Sequence, residues 1–351
     1  MDLHGTAGLA RAHGEPLFRG NYRVEEKDFE VIEELGFALD GEGEHEFLLI
    51  EKLGANTDWV AREISRFAGV RPMDVGYAGR KDRHARTEQW FSIRVVNRSV
   101  DWSALDIEGV RVLAARRHTR KLKRGAHSGN RFRIRVIDDG RAPLRDLLER
   151  IDAIREQGVP NYFGPQRFGR NNLERAAELF AGKKLRRNTR SMAISAARAA
   201  IFNAILDRRV RDGSWNQLLA GDVANLDGTG SVFLVDAVDA ELEQRIDSRD
   251  IHPTASLWGS RATYRAGRDC ALLEAEAGAG LADLARGLEN ARIDTAQRSC
   301  RVMPAGLALA TTPGSLTVSF RLPAGAFATS VLRELGDLDD AAASHPPSSK
   351  T

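Results

Sequence analysis

The stretch that decides the fold is Gly76-Tyr77-Ala78-Gly79-Arg80-Lys81-Asp82-Arg83-His84, residues 76–84. It follows residues 56–68, whose apolar side chains recur at helical spacing. It precedes residues 88–95, where apolar and polar side chains alternate as in a half-buried strand. The sequence therefore predicts a glycine-rich loop at the edge of a sheet, with a cation on each side of Asp82.

This loop predicts chemistry centred on a carboxylate. Lys81 and Arg83 flank Asp82, and neighbouring cations favour the ionised form of a carboxylate. An ionised carboxylate can act as a nucleophile or a base, although a plain surface ion pair is the alternative. His84 is a candidate general base, or a structural histidine. A hydrolase that uses Asp82 with Glu88 or His84 and a metal ion is a further hypothesis.

A second informative segment is Asn161-Tyr162-Phe163-Gly164-Pro165-Gln166-Arg167-Phe168-Gly169. Aromatic rings, amides and an arginine among glycines are typical of surfaces that bind unstacked bases. A packed turn with buried aromatic rings is the alternative.

The remaining patterns predict further strands and helices. Period-two alternation or short apolar runs predict strands at 29–35, 46–53, 131–136 and 316–320. Helical spacing predicts helices at 144–156, 173–180 and 194–210. Residues 223–235 predict a hairpin around Asp227-Gly228, and 302–315 predict a loop that ends in a turn at Pro313-Gly314.

Charge is clustered rather than excessive. The 351 residues include 52 Lys and Arg against 49 Asp and Glu, a net charge of only +3. Nine basic residues and no acidic ones nevertheless lie between Arg116 and Arg135, and a second basic cluster runs from Lys183 to Arg190. The first run continues along one side of a predicted strand, so we expect a flat positive surface that contacts nucleic-acid phosphates.

Other classes find no support in the sequence. Neither Cys270 nor Cys300 belongs to a CxxC pair, and no nucleotide-binding glycine motif is present. Residues 1–14 lack the pattern of a signal peptide, and the prolines within 302–320 disfavour a membrane span. We therefore expect a soluble cytoplasmic protein, without cofactor or metal and not bound to a membrane.

At these motifs the sequence resembles the tRNA pseudouridine synthase D family. The stretches that carry the resemblance are GYAGRKDRHARTEQWFSI, NYFGPQRFG, DFEVIEELGF, RKLKRGAHSGNRFRIRV and FRLPAGAFATSVLREL, which together run from about residue 20 to 336. The resemblance implies an isomerase that converts uridine, at position 13 of tRNA, to pseudouridine without a cofactor. tRNA is the implied partner, and we expect a monomer.

The resemblance also implies roles for particular residues. It matches Asp82 to the catalytic aspartate and Asn161 to the asparagine that orients it. Phe163 matches the ring that stacks on the target base, while Phe29 and Phe327 match aromatic positions of the substrate pocket. Lys81 and Arg83 are further candidates for substrate binding. Whether Asp82 attacks C1′ or removes a proton from C2′ stays open.

The implied fold is an α/β (α+β) protein with a mixed, largely antiparallel sheet and an inserted second α/β domain, which leave a cleft for RNA. We expect a flexible arm at 1–18, a catalytic domain of 19–186 and 297–336, an inserted domain at 187–296, and a disordered tail at 337–351. A non-catalytic RNA-binding or RNA-chaperone protein of the same fold is the alternative function. The sequence departs from the family's pattern around Glu26-Lys27, at Pro165 and in the short stretch after Gly169.

Overall fold

The structure, a computed structural model, describes residues 8–96, 99–169 and 171–344. It divides into two compact units. The sheet unit consists of residues 16–151, 304–325 and 335–344, and the helix unit of residues 8–15, 152–303 and 326–334. Residues 152–186 and 297–303 thus join the unit that contains the predicted insertion, 187–296.

The elements are numbered here in chain order. The strands are β1 Arg19–Tyr22, β2 Phe29–Leu35, β3 His45–Leu53, β4 Val75–Tyr77, β5 Arg86–Arg94, β6 Val110–His118, β7 His127–Asp138, β8 Val159–Pro160, β9 Val223–Leu226, β10 Val232–Leu234, β11 Ile251–Leu257, β12 Ala296–Ser299, β13 Arg301–Val302, β14 Ala305–Thr312, β15 Ser315–Pro323 and β16 Asp337–Asp340. The helices are α1 Thr57–Phe67, α2 Leu144–Gln157, α3 Pro165–Phe168, α4 Asn172–Phe180, α5 Arg187–Arg211, α6 Ala240–Asp247, α7 Arg268–Gly278, α8 Ala282–Asn290 and α9 Ala328–Leu332.

The sheet unit contains a ten-stranded mixed sheet. Its main path runs β14-β15-β7-β2-β5-β3-β6, while β1 pairs with β7 and β16, and β4 pairs with β5. Two of these pairings, β2 with β5 and β1 with β16, are parallel, and the others are antiparallel. This arrangement confirms the predicted mixed, largely antiparallel sheet.

Side-chain alternation gives this sheet one buried face. Phe132, Ile134 and Val136 of β7 are buried, and the arginines between them lie on the opposite face. Helix α1 covers part of the buried face, because Val60 and Ile64 pack in one cluster with apolar residues of β3 and β5. This core fixes the position of the loop between β4 and β5, which contains Asp82.

The helix unit is organised around α5. Ala196, Phe202 and Ile205 of this helix are fully buried in a cluster that includes residues of α4 and α8. A four-stranded sheet of order β10-β9-β11-β12 lies in the same unit. The fully buried guanidinium of Arg209 forms a two-point ion pair with Asp222, with nitrogen–oxygen distances of 2.7 and 2.8 Å.

Most predicted elements are confirmed, but residues 305–312 and parts of the two chain ends differ from the predictions. The hairpin around Asp227-Gly228 forms from β9 and β10. Residues 305–312, predicted as loop, form β14, since their backbone pairs with β15 across the turn at Pro313-Gly314.

The described parts of both chain ends, predicted to be flexible or disordered, have defined strand pairing or side-chain contacts. Residues 337–340 form β16, because their backbone pairs in parallel with β1. In the predicted arm, the backbone N–H of Ala12 donates to Glu334 at 2.9 Å, and Phe18 is buried in the sheet unit. Residues 1–7 and 345–351 lie outside the described residues. Among the helices that the structure describes, none combines the length and apolar character of a membrane span.

Candidate active site

The loop that contains Asp82 connects β4 to β5 and is held by a chain of hydrogen bonds. The backbone N–H of Lys81 donates to Thr57 Oγ1 at 3.0 Å, and Thr57 in turn donates to Gln89 at 3.0 Å. The Gln89 amide donates to the carbonyl of Gly79 at 2.6 Å. Because Thr57 and Gln89 are fully or almost fully buried, these bonds fix the loop backbone from within the core.

Arg23 is a cation that binds the Asp82 carboxylate. It follows β1, has a left-handed backbone with φ of +59°, and is only 8% exposed. One end of its guanidinium forms an ion pair with Asp82, and the other binds Asp340. Burial alone would lower the pKa of Arg23, but the hydrogen bond to Asp340 and the charge of Asp82 raise it. The guanidinium therefore stays charged and holds the carboxylate in one orientation.

The flanking lysine, Lys81, does not take this role. Its ammonium is buried, forms an ion pair with Glu33 at 3.0 Å and hydrogen-bonds to Asn130. Burial is the main reason that the pKa of Lys81 is lowered. The ammonium of Lys81 thus pairs with Glu33, and its role in substrate binding stays a prediction.

A second buried lysine supports the backbone of Asp82 itself. The ammonium of Lys52 is fully buried and donates to the carbonyl of Ala55 at 2.8 Å and to that of Asp82 at 3.0 Å. Burial lowers its pKa to about 8, against the opposing effect of the Asp82 charge. No motif signals this residue, since in sequence it is an ordinary lysine near the end of a strand.

The other predicted residues of the sheet unit lie around the same loop. The guanidinium of Arg83 donates to the carbonyl of Gly54 at 3.1 Å. Phe29 is buried, and its ring centroid lies 5.7 Å from the guanidinium carbon of Arg23. The backbone N–H of His84 donates to the second oxygen of Asp82 at 3.2 Å. The Asp82 side chain nevertheless remains 27% exposed, so the carboxylate is accessible to a reactant.

The hypothesis of a metal-dependent hydrolase has no geometric support in the part of the chain that is described. Within it, no group of three or more His, Cys, Asp or Glu side chains could hold a metal ion. The imidazole of His84 and the carboxylate of Glu88 therefore do not form a metal site with Asp82 there.

The helix unit brings together Asn161, Phe163 and Phe327. The rings of Phe163 and Phe327 meet edge to face, with centroids 5.8 Å apart. Arg298, which no motif had indicated, donates to Asn161 Oδ1 at 2.6 Å, and its guanidinium carbon lies 4.2 Å from the Phe163 centroid. Burial, and secondarily the charge of Arg167, lower the pKa of Arg298 to about 9. Phe163 itself is only 6% exposed.

Arg167 belongs to the same cluster. Its guanidinium carbon lies 5.1 Å from the Phe163 ring and 5.7 Å from the Phe327 ring. It donates to Ser195 Oγ at 3.0 Å, while its buried Nε has no hydrogen-bond partner among the described residues. Burial lowers the pKa of this guanidinium. Two arginines therefore flank the aromatic pair, an arrangement that suits an electron-rich, polar ligand such as a uracil or a phosphate.

The protein thus has an α/β fold with two units. One contains the ten-stranded sheet and the Asp82 loop, and the other contains the helices and the aromatic–arginine cluster. A crystal structure of a protein described as tRNA pseudouridine synthase D from Methanosarcina mazei has this fold, with a TM-score of 0.73 over 97% of this chain and 99% of that one. The two sequences are 20% identical, so this likeness concerns the fold alone.

Sequence comparison identifies the family. The family model for tRNA pseudouridine synthase D (TruD) matches residues 11–177 and 171–335. The tRNA pseudouridine synthase D of Methylococcus capsulatus is 48% identical over 96% of this chain and 97% of its own length. That of Aeromonas salmonicida is 44% identical over 95% of both chains. The chain belongs to the tRNA pseudouridine synthase D family.

Proposed function

We propose that this protein isomerises a uridine of tRNA, at position 13, to pseudouridine. The observation that carries the proposal is membership of the family over nearly the whole chain, together with an accessible aspartate fixed by a buried arginine. The alternative of a non-catalytic RNA-binding or RNA-chaperone protein has no support from the relatives. The reaction breaks the N1–C1′ bond and forms a C5–C1′ bond; C5 gives up its proton to solvent and N1 gains one, so the composition of the nucleotide is unchanged.

Asp82 is the proposed catalytic residue. Its carboxylate either attacks C1′ directly or removes a proton from C2′, and both routes require the ionised form. The ion pair with Arg23 and the N–H of His84 hold the two carboxylate oxygens, which reduces the reorganisation needed when it reacts. Neither route transfers electrons to or from a cofactor.

The base-binding role is proposed for the residues of the helix unit. Phe163 and Phe327 offer apolar surface to the uracil, and Asn161 is a positioning residue. The amide of Asn161 is itself fixed, because its Nδ2 donates to the carbonyl of Ser299 at 2.9 Å and its Oδ1 accepts from Arg298. Phe29, Lys81 and Arg83 keep their proposed place in substrate binding.

We propose a monomer that acts on tRNA in the cytoplasm. In functional terms, 19–186 and 297–336 form the catalytic domain and 187–296 the insertion, although the compact units divide the chain at other residues.

Tritium release provides the test. Unmodified tRNA transcripts labelled with tritium at C5 of uridine lose that label when C5 joins C1′. We expect the protein to release one equivalent per tRNA, and none from a transcript with cytidine at position 13. Tight binding of tRNA without tritium release would favour the RNA-binding alternative. Release from a different uridine would refute the assigned position.

A further inference from the structure

Within the basic run 116–135, strand β7 and the connection before it have different charge environments. On β7, each arginine of the exposed face binds a carboxylate. Arg131 binds Glu34 at 2.7 Å, Arg133 binds Glu30 at 2.9 Å, and Arg135 binds Asp28 at 3.3 Å. The expectation of a flat positive surface is therefore wrong for this strand.

The neutralisation extends across neighbouring strands. The carboxylate of Glu34 also binds Arg321 of β15, and that of Glu30 also binds Arg86 of β5. Arg86 and Arg111 in turn bind Glu51 of β3 at 2.6 and 2.9 Å. These ion pairs join six arginines to four carboxylates, so every arginine of β7 already has an anionic partner on this face.

The connection between β6 and β7 differs. Its residues 119–126, here called the basic turn, carry four exposed cations: Arg120, Lys121, Lys123 and Arg124. None of the four forms an ion pair with a carboxylate of the described residues. Asp40 lies near Arg120 but binds the backbone N–H of Thr119 at 3.0 Å and the ring of His118 at 2.9 Å.

The basic turn is fixed against the aspartate loop. The backbone N–H of Gly125 donates to the carbonyl of Ala78 at 2.7 Å, and that of Leu122 donates to Ser92 Oγ at 2.9 Å. Leu122 is buried in one cluster with Ala78. Arg124 donates to the hydroxyl of Tyr77 at 2.8 Å and lies over its ring. The cations are therefore held beside the loop that contains Asp82.

We propose that the basic turn is a phosphate-binding surface that contacts the tRNA backbone near the target nucleotide, and that the arginine face of β7 is not. This inference rests on the proposed function for the identity of the RNA. When the protein binds tRNA, exposed cations without carboxylate partners displace the counterions condensed on the RNA phosphates. Arginines already paired with carboxylates must first break those ion pairs.

A salt titration with matched variants tests this assignment. The turn variant is Arg120→Gln with Lys123→Gln, and the control is Arg131→Gln with Arg133→Gln, which removes the same charge from the same run. The Kd for unmodified tRNA is measured from about 50 to 200 mM salt, the range over which phosphate contacts dominate. Thermal unfolding verifies that both variants are folded.

We expect the turn variant, which lacks two cations, to lose about 1.4–1.8 from the slope of log Kd against log salt, at roughly 0.7–0.9 per phosphate contact. The control keeps a slope close to that of the wild type. A turn variant with the wild-type slope, or a control that loses as much, overturns the assignment. Tritium release by the wild type is scored separately, so a failed surface and a failed isomerase remain distinguishable.

Discussion

Replacing Arg23 with glutamine tests how the Asp82 carboxylate is held. The guanidinium of Arg23 binds Asp82 through Nη1, and Asp340 through Nη2 and Nε, with the Nε contact at 2.8 Å. Glutamine keeps a polar side chain of moderate length but has no charge and cannot bind both carboxylates. We expect the Arg23→Gln protein to form pseudouridine more slowly and to unfold more easily.

The magnitudes follow from the burial of the three groups. Breaking a buried ion pair by removing one partner costs about 3–5 kcal/mol. The side chains of Asp82 and Asp340 are 27% and 22% exposed and can regain some hydration, so we expect a loss of about 2–3 kcal/mol in the free energy of unfolding. One charge-assisted hydrogen bond is worth about 1.5–3 kcal/mol, which corresponds to roughly a 10- to 150-fold fall in kcat if the transition state loses it.

Single-turnover tritium release with saturating enzyme measures the activity, and urea unfolding measures the stability. The matched control is Asp340→Asn, which weakens the other arm of Arg23 and leaves the arm to Asp82. We expect the control to lose stability but to keep most of its kcat. An Arg23→Gln protein with wild-type kcat, or an Asp340→Asn protein that loses as much activity, would refute the reasoning.

Three further predictions concern stability. Between pH 8 and 10.5 the unfolded chain keeps a proton on Lys52 that the folded state has released. The free energy of unfolding should therefore rise with pH by up to about 3 kcal/mol across this range. Urea unfolding at several pH values measures this rise, which should be absent in Lys52→Met. Arg209→Met leaves the carboxylate of Asp222 buried without its cation and should cost about 3–5 kcal/mol in thermal unfolding. The control Arg208→Gln removes the exposed pair with Asp212 and should cost under about 0.5 kcal/mol. Equal losses in the two variants would contradict the burial argument. A Cβ at Gly76 would lie 2.5 Å from the carbonyl oxygen of Leu122, so Gly76→Ala should shift the basic turn and lower the Tm. The control Gly79→Ala should be tolerated, because a Cβ there would meet only a His127 atom at 3.8 Å. A tolerated Gly76→Ala would contradict this packing.

Local patterns predicted five strands of the ten-stranded sheet, β2, β3, β5, β7 and β15, because alternation along a strand reports which face is buried. Strands β1, β4, β6, β14 and β16 were not predicted. Strand β2 begins and ends at the predicted residues, 29 and 35. β14 was missed because its residues 305–312 include a glycine and two threonines, and its pairing with β15 rather than its own pattern makes it a strand. β16 was missed for a similar reason, since Asp337–Asp340 is almost entirely acidic and pairs through its backbone with β1.

The candidate site was predictable only where a motif carries it. Asp82, Asn161, Phe163 and Phe327 stand in motifs that resemble the family. Arg23 has no such signal, because its contact with Asp82 depends on a left-handed backbone after β1 and on Asp340 at the far end of the chain. The charges of β7 were misjudged for a related reason. Their partners, Glu30 and Glu34 on β2 and Asp28 just before it, are distant in sequence and become neighbours only through the pairing of β2 with β7.

The central claim is that Asp82 performs the isomerisation. The most direct measurement maps pseudouridine in unmodified tRNA after incubation with wild-type protein and with Asp82→Asn, both in EDTA. We expect one pseudouridine, at position 13, with the wild type. With Asp82→Asn we expect none, although that protein still binds tRNA and unfolds cooperatively. Pseudouridine formed by Asp82→Asn at a rate comparable with the wild type would contradict the account.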